Sequence, residues 1–349
     1  MSAVNAPQGS SRPLLDVHDL LILDLDGVVY VGAHAVPGVV EVLEKAEARG
    51  VRRTFATNNA SRTPEDVAAH LSRIGVPAQP QDVVTSSQAA ADLIVRRCGA
   101  GVSVLAVGGP GLVEACREAG LNVVVSAEDS PAAVVQGYGP AVGWRDLAEA
   151  TYAVRAGSWW VATNTDITIP TERGPAPGNG TLVAAVRAAV DVDPVVAGKP
   201  EPGLFTAAAR RVGARSPLVV GDRLDTDIEG AVRAQQPSVL VLTGVTRPQD
   251  LLDAEPGRRP TYVTEDMHGL LEPQPEVTAD GDGWRCRDAG VEVVAGELQG
   301  SAPQGRGAAL DLLRAAAAAA WASQAAGEKP SVASALLERW EPLGTDPTT

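Results

Sequence analysis

Leu20-Leu21-Ile22-Leu23-Asp24-Leu25-Asp26-Gly27-Val28-Val29 is the stretch that decides the fold. Four apolar residues of strand length end in two carboxylates separated by one residue. A strand alternates its side chains between faces, so Asp24 and Asp26 leave its end on the same side. Carboxylates that close repel one another unless a cation or a shared proton compensates. The pair therefore either holds a metal or divides nucleophile and general-acid work. A solvated acidic turn is the plain alternative.

Three later segments choose between these readings. Thr54-Phe55-Ala56-Thr57-Asn58-Asn59 runs a short apolar strand into a hydroxyl and two amides. Gly198-Lys199-Pro200-Glu201-Pro202 sets one lysine in a stiff turn ahead of a helical pattern. Leu218 to Asp227 ends a further buried strand in Asp222, Asp225 and Asp227. In an open parallel sheet such positions are the carboxyl ends of strands, where ligands bind. Taken singly, Thr57 and Asn58 read as a helix cap, Lys199 as a surface charge and Asp222 as a turn former. Four clusters in the same context favour a site.

Asp24-Leu25-Asp26, Thr57-Asn58, Lys199 and Gly221-Asp222 with Asp227 resemble the four motifs of the haloacid dehalogenase superfamily, in its aspartate-nucleophile phosphatases. Ala162-Thr163-Asn164-Thr165-Asp166, with Pro170, Gly174 and Pro177-Gly178-Asn179-Gly180, is similar to the cap signature of one branch. That branch carries a large α/β cap between the second and third motifs and includes nitrophenyl-, pyridoxal-phosphate- and glycerol-phosphate phosphatases. The resemblance spans roughly residues 18–270. It implies an α/β fold: a Rossmann-like parallel-sheet core, an inserted α/β cap and a small α+β C-terminal appendage. The expected division is a disordered N-terminus over 1–17, a core of 18–88 with 194–271, a cap over 89–193 and an accessory segment over 272–349.

Composition agrees. The chain has 349 residues, 45% of them hydrophobic, enough for more than one core. A net charge of -14 argues against nucleic acid or an anionic membrane as partner. Cys98, Cys116 and Cys286 are odd in number and lack CxxC spacing, so they read as reduced thiols of a cytoplasmic protein. His18, His34, His70 and His268 are scattered and read as non-ligands. Met1 to Pro13 lacks the order of a signal peptide, and Ala-rich 308–326 is broken by Asp311 and Arg314, so it reads as a helix and not a membrane span. Gly108-Gly109-Pro110-Gly111 lacks the register of a nucleotide loop and reads as a structural turn.

The resemblance assigns roles. Asp24 is the nucleophile that forms an aspartyl-phosphate, and Asp26 the general acid and base. Asp24, the backbone carbonyl of Asp26, and Asp222 hold the ion, with Asp227 behind them. Thr57, Asn58, Asn59 and Lys199 bind the phosphoryl group. The electrostatics ask for a dication: unit charges about 4 Å apart interact by roughly 4 kcal/mol at an effective dielectric of 20. All-oxygen ligation favours Mg²⁺. A closing cap implies a small phosphorylated metabolite. Asn164, Asp166, Glu172 and Arg173 are candidates for specificity, against a plain reading as exposed loop groups. Ile169 stands where the pyridoxal-phosphate branch has a histidine. Whole-chain similarity favours glycerol 3-phosphate, with 2-phosphoglycolate, a nucleoside monophosphate, a sugar phosphate or pyridoxal phosphate as alternatives.

Beyond Glu272 the pattern changes. Pro273 and Pro275 mark a linker, Trp284–Arg287 and Val291–Val294 a hairpin, and 307–326 and 331–340 helices. Gly305-Arg306-Gly307-Ala308 faintly resembles an acetyltransferase pyrophosphate turn, so a tail-driven acyl-CoA or interaction protein is one rival. A non-catalytic sensor of a phosphorylated metabolite is the other. A homo-oligomer is compatible with the sequence.

Overall fold

The computed structural model describes residues 6–169, 173–341 and 343. The chain forms two compact units: Met1–Thr54, Ile74–Val76 and Ala209–Thr349 make the first, Phe55–Arg73 and Pro77–Ala208 the second. Compactness thus separates the chain elsewhere than at the expected 88/89 and 193/194 divisions. The cause is local bonding. Gly111 N–H bonds the Ser61 carbonyl at 3.4 Å, tying the segment after Thr54 to one beyond residue 100.

In the first unit, strands Tyr262–Thr264, Ser238–Val241, Pro217–Gly221 and Leu20–Leu23 lie side by side in that order, all parallel. Leu20, Leu21, Ile22 and Leu23 are fully buried, the continuous apolar run of a strand covered on both faces. Leu21 pairs with Leu218 and Leu23 with Val220, so the two strands end level. Asp24 N–H then bonds the Val220 carbonyl at 3.0 Å. Parallel registry brings Asp24 and Asp222 to the same sheet edge. After Asp26 the chain turns through Gly27 and forms a small hairpin, Tyr30–Val31 against His34–Ala35.

The second unit has its own parallel sheet, in the order Val195–Val196, Trp159–Ala162, Ala133–Gln136, Ser103–Val107, Asn122–Val124. Helices Trp144–Arg155 and Asn179–Val190 pack Ala150, Val154, Val183 and Val186 on Val134 and Trp160. Strand Arg52–Thr57 enters this unit at Phe55, which pairs with Val83. The Gly108–Gly111 turn is structural, as read: a Cβ on Gly111 would lie 2.5 Å from the Arg62 carbonyl oxygen.

Two expectations need correction. The described part of 1–17 is ordered: Ser10–Pro13 pairs antiparallel with Pro273–Gln274, and Leu14 and Leu15 are buried. These two leucines supply the apolar anchor that composition across the whole stretch conceals. Residues 331–340 are not one helix either. Ser331–Val332 forms an edge strand parallel to Glu297–Ser301, and the helix is Ser334–Trp340.

The tail is larger than a hairpin. Val277–Asp280, Gly283–Cys286, Ala289–Val294 and Glu297–Ser301 form an antiparallel meander under helix Arg306–Ala325. Ala315 to Ala320 of that helix are buried on every side, which explains its weak amphipathic pattern. One core joins Leu313 and Trp321 to Leu240, Leu251, Leu252 and Val263 of the parallel-sheet layer. Trp321 Nε1 also donates to the Leu251 carbonyl at 2.9 Å. The tail completes that layer. No helix among the described residues is long and apolar enough to cross a membrane.

Candidate active site: a carboxylate cluster and a lysine clamp

Among the described residues, one group of three acids converges. Asp24, Asp222 and Asp227 each place a carboxylate oxygen within 4.8 Å of the other two. Asp222 and Asp227 are buried and Asp24 is half-buried. Burial removes the solvent that would screen their repulsion. Asp222 Oδ2 accepts the Val245 N–H at 2.7 Å, and Asp227 Oδ2 the Arg223 N–H at 3.2 Å.

Local backbone shape makes room for this cluster. Gly27 has φ +81°, a left-handed turn, and a Cβ there would stand 2.6 Å from Asp222 Oδ2. A Cβ on Gly244 would stand 2.0 Å from the same atom. Asp227 sits in a π-turn, Leu224–Ile228, that opens a short helix. Its N–H and that of Ile228 both bond the Arg223 carbonyl, each at 3.1 Å. Such wide turns recur at functional sites because they re-aim one side chain. Three oxygen donors in a cradle walled by glycines, with no nitrogen or sulfur ligand among them, fit a hard divalent cation such as Mg²⁺.

Asp26 behaves differently. Its side chain is exposed and stands outside the cluster, 3.5 Å from the Tyr30 hydroxyl. It is accessible for proton exchange while its neighbour two residues earlier is committed to the cluster. Asp225, exposed at the start of the same turn as Asp227, accepts two bonds from Arg223 at 3.1 and 2.9 Å. Burial raises the Asp225 carboxyl, but the arginine outweighs that and leaves its pKa below the usual range.

The second unit holds the other predicted residues. Thr57 ends its strand buried, and its Oγ1 accepts the Asn59 N–H at 3.0 Å. Asn59 accepts the Ser61 N–H and hydroxyl at its carboxamide oxygen, at 3.0 and 2.8 Å, and so stabilises the turn. Asn58 is also engaged: its Oδ1 accepts the Lys199 N–H at 2.8 Å and its Nδ2 donates to the Lys199 carbonyl at 3.1 Å. Lys199 is buried. Asn164 donates to the Asn58 carbonyl at 2.8 Å and accepts the Asp166 N–H at 3.2 Å, which fixes main chain where specificity was expected. Asp166 is half-buried with Oδ2 3.5 Å from Asn58 Nδ2, and Arg173 is exposed on a turn. Glu172 and Pro170 lie outside the described residues.

Sequence reading passed over Gly244, Val245 and Ser86. Ser86, fully buried, donates to the Asn58 carbonyl at 2.8 Å. The available signal for the first two was Thr243-Gly244-Val245-Thr246 at the end of strand Ser238–Val241, one more carboxyl end in the same sheet. Cys116 and Cys286 are buried thiols away from the acid cluster. Burial pushes the Cys116 thiol up to about 12, and burial with the charge of Asp311 does the same to Cys286.

A parallel sheet ending in converging carboxylates, with an Asp-x-Asp turn at its first strand, defines a hydrolase of the metal-assisted, aspartate-based class. The chain belongs to the haloacid dehalogenase-like hydrolases, whose family model matches residues 21–122, and a second model of the same kind matches 196–270. It is 45% identical over 348 residues to the D-glycerol 3-phosphate phosphatase of Mycobacterium tuberculosis, covering 96% of this chain and 97% of that protein. The crystal structure of a glycerol phosphate phosphatase from M. tuberculosis with magnesium superposes with a TM-score of 0.84 at 42% identity, over 95% of this chain and 99% of that one. The 4-nitrophenylphosphatase of Thermotoga maritima gives 0.68 at 33%, covering 98% of its own length but 74% of this chain.

Proposed function

We propose that this chain is a Mg²⁺-dependent phosphomonoesterase whose first substrate is glycerol 3-phosphate. The single observation that carries the reading is the convergence of Asp24, Asp222 and Asp227 within 4.8 Å. Three acids so placed ask for a cation, and the one on the Asp-x-Asp turn is the nucleophile. Bound there, Mg²⁺ neutralises the carboxylates and the incoming phosphoryl charge.

Asp24 attacks phosphorus, and the ester P–O bond breaks as the aspartyl P–O bond forms. Asp26 gives its proton to the departing alkoxide, then takes one from the water that attacks the aspartyl-phosphate. Hydrolysis returns Asp24 as a carboxylate and releases inorganic phosphate. Lys199 and Thr57 keep the phosphoryl-binding roles that the resemblance implies for them, since this transfer needs mostly positioning and charge neutralisation.

Glycerol 3-phosphate is preferred because the relative matched over 96% of this chain bears that substrate in its name. The nitrophenylphosphatase leaves about a quarter of this chain unmatched. We place the enzyme in the cytoplasm, acting on a small metabolite and not on nucleic acid, in keeping with its net charge of -14.

A phosphate-release screen of small phosphomonoesters with Mg²⁺, with Asp24→Asn as blank, tests the reading. The expected result is Mg²⁺-dependent release with the highest kcat/KM on glycerol 3-phosphate and none in the variant. Equal release by the wild type and the variant would overturn the mechanism. A hundredfold preference for 2-phosphoglycolate, a sugar phosphate or a nucleotide would overturn the substrate alone.

A further inference from the structure

We infer that Asn58 is a positioning residue, whose carboxamide fixes the main chain of Lys199 and thereby aims its ammonium. The inference rests on the phosphatase reading for what Lys199 does, and on geometry alone for how it is held. Asn58 Oδ1 takes the Lys199 N–H at 2.8 Å while Asn58 Nδ2 gives to the Lys199 carbonyl at 3.1 Å. That two-bond exchange with one residue is what a paired strand offers, supplied here by a side chain. A carboxamide can make both bonds because it carries a donor and an acceptor side by side. A carboxylate would repel the carbonyl, and a hydroxyl is too short to span both.

The surroundings hold the clamp shut. A Cβ on Gly198 would lie 2.3 Å from the Thr163 carbonyl oxygen and 2.5 Å from Asn58 Oδ1, so the peptide before Lys199 is wedged between the two. Pro200 follows with a fixed φ. Asn58 is itself anchored, since its carbonyl accepts from Ser86 Oγ and Asn164 Nδ2, both at 2.8 Å. Asn179 Nδ2 in turn holds the Asn164 carbonyl at 2.7 Å. Capping is not the explanation, because the following helix begins only at Pro64.

The consequence is specific to lysine. Its ammonium rides on a flexible four-carbon stem, so direction comes from fixing where the stem starts. Misplacing a catalytic group by about 1 Å can cost on the order of a hundredfold in rate. Asn58 therefore acts on turnover through Lys199.

A double-mutant cycle with hydrogen exchange tests this. Asn58→Ala is expected to lower kcat/KM by about 10- to 100-fold in the wild type but by less than about threefold in Lys199→Ala, because coupled residues are non-additive. The Lys199 amide should exchange faster in Asn58→Ala and stay protected in Asn58→Asp, which keeps the acceptor. Should Asn58→Ala fail to fold, Asn58→Asp enters the same cycle, where the lost donor alone must give a non-additive loss. Independent, multiplicative losses with weaker inhibition by inorganic phosphate would show Asn58 touching the phosphoryl group and overturn the inference. Unchanged exchange at Lys199 would overturn it as well. If the wild type shows no phosphatase activity beyond Asp24→Asn, the phosphatase reading fails, yet the exchange result still decides whether Asn58 holds Lys199.

Discussion

Acids of the same unit are handled in two opposite ways. Asp311, in the long tail helix, is met by Arg314 at 2.8 Å and Arg287 at 3.1 Å. Arg314 also donates to the Val263 carbonyl and to Gln274, tying the tail to the strand Tyr262–Thr264. Burial pulls the Arg314 pKa down and the charge of Asp311 resists that. Asp24, Asp222 and Asp227 instead point at one another, and Asp222 and Asp227 are steadied by backbone N–H groups. An acid answered by arginines is a fastener. Acids aimed at each other leave a place for an ion that comes from outside.

The largest effect that would sharpen this contrast is on turnover. Asp26→Asn removes the proton shuttle while leaving the converging acids intact, so kcat should fall by about 10²- to 10⁴-fold. Mg²⁺ binding, read by calorimetry, should persist. Loss of Mg²⁺ affinity equal to that of Asp222→Asn would break the distinction between the exposed acid and the cluster.

Next comes the fastener. Arg314→Leu leaves the buried Asp311 with Arg287 alone and should cost about 3–5 kcal/mol in denaturant unfolding. Restoring an apolar pair with Asp311→Leu in addition should recover part of that. Phosphate release per folded molecule should not change, because neither residue belongs to the site. A stability loss below 1 kcal/mol would show the pair to be ornamental.

The metal site predicts the reverse response. Saturating Mg²⁺ at about a hundred times its Kd should add roughly 2.7 kcal/mol of stability to EDTA-treated protein. Asp222→Asn should abolish that gain, yet leave the metal-free protein no less stable than wild type, since one of three repelling charges is gone. Asp311→Asn should do the opposite, destabilising without touching the response to Mg²⁺. Thermal melts with and without Mg²⁺ separate the two.

Which of these features could be read in advance follows from their range. The strand Leu20–Leu23 and the acids after it are local pattern, and parallel registry carries Asp24 and Asp222 to one edge without further information. The convergence of these acids was legible for that reason. Asn58 and Asn59 were not, because their partners depend on where Lys199 and Ser61 fall in space, and an amide after a strand signals only that some polar atom needs it. Ser86 and Ser87 likewise look like helix-start residues until their bonds to the carbonyls of Asn58 and Ala60 are seen. What the tail packs on was not legible. Its alanines carry no periodicity, and only the shared core with Leu251 and Val263 shows that it cannot be trimmed without exposing apolar surface.

A third way to bury an ionisable group lies at the other end of the first strand, and it gives the smallest effect. His18 is half-buried, with its Nδ1 3.2 Å from the Ser216 carbonyl. Burial lowers its pKa below 6.5, with the Ser216 bond and the charge of Asp19 opposing. The unfolded chain therefore binds the proton more readily than the folded one. The stabilisation is complete above pH 6.5 and is lost as pH falls through the depressed folded value. Neither an arginine nor a metal is needed, because the ring stays neutral. Wild type should lose thermal stability between pH 7 and pH 5 by more than His18→Gln does, with both proteins stripped of metal to silence the carboxylate cluster. Parallel pH dependence in the two would mean that the ring is charged inside the fold, and that burial by neutralisation does not belong beside the other two.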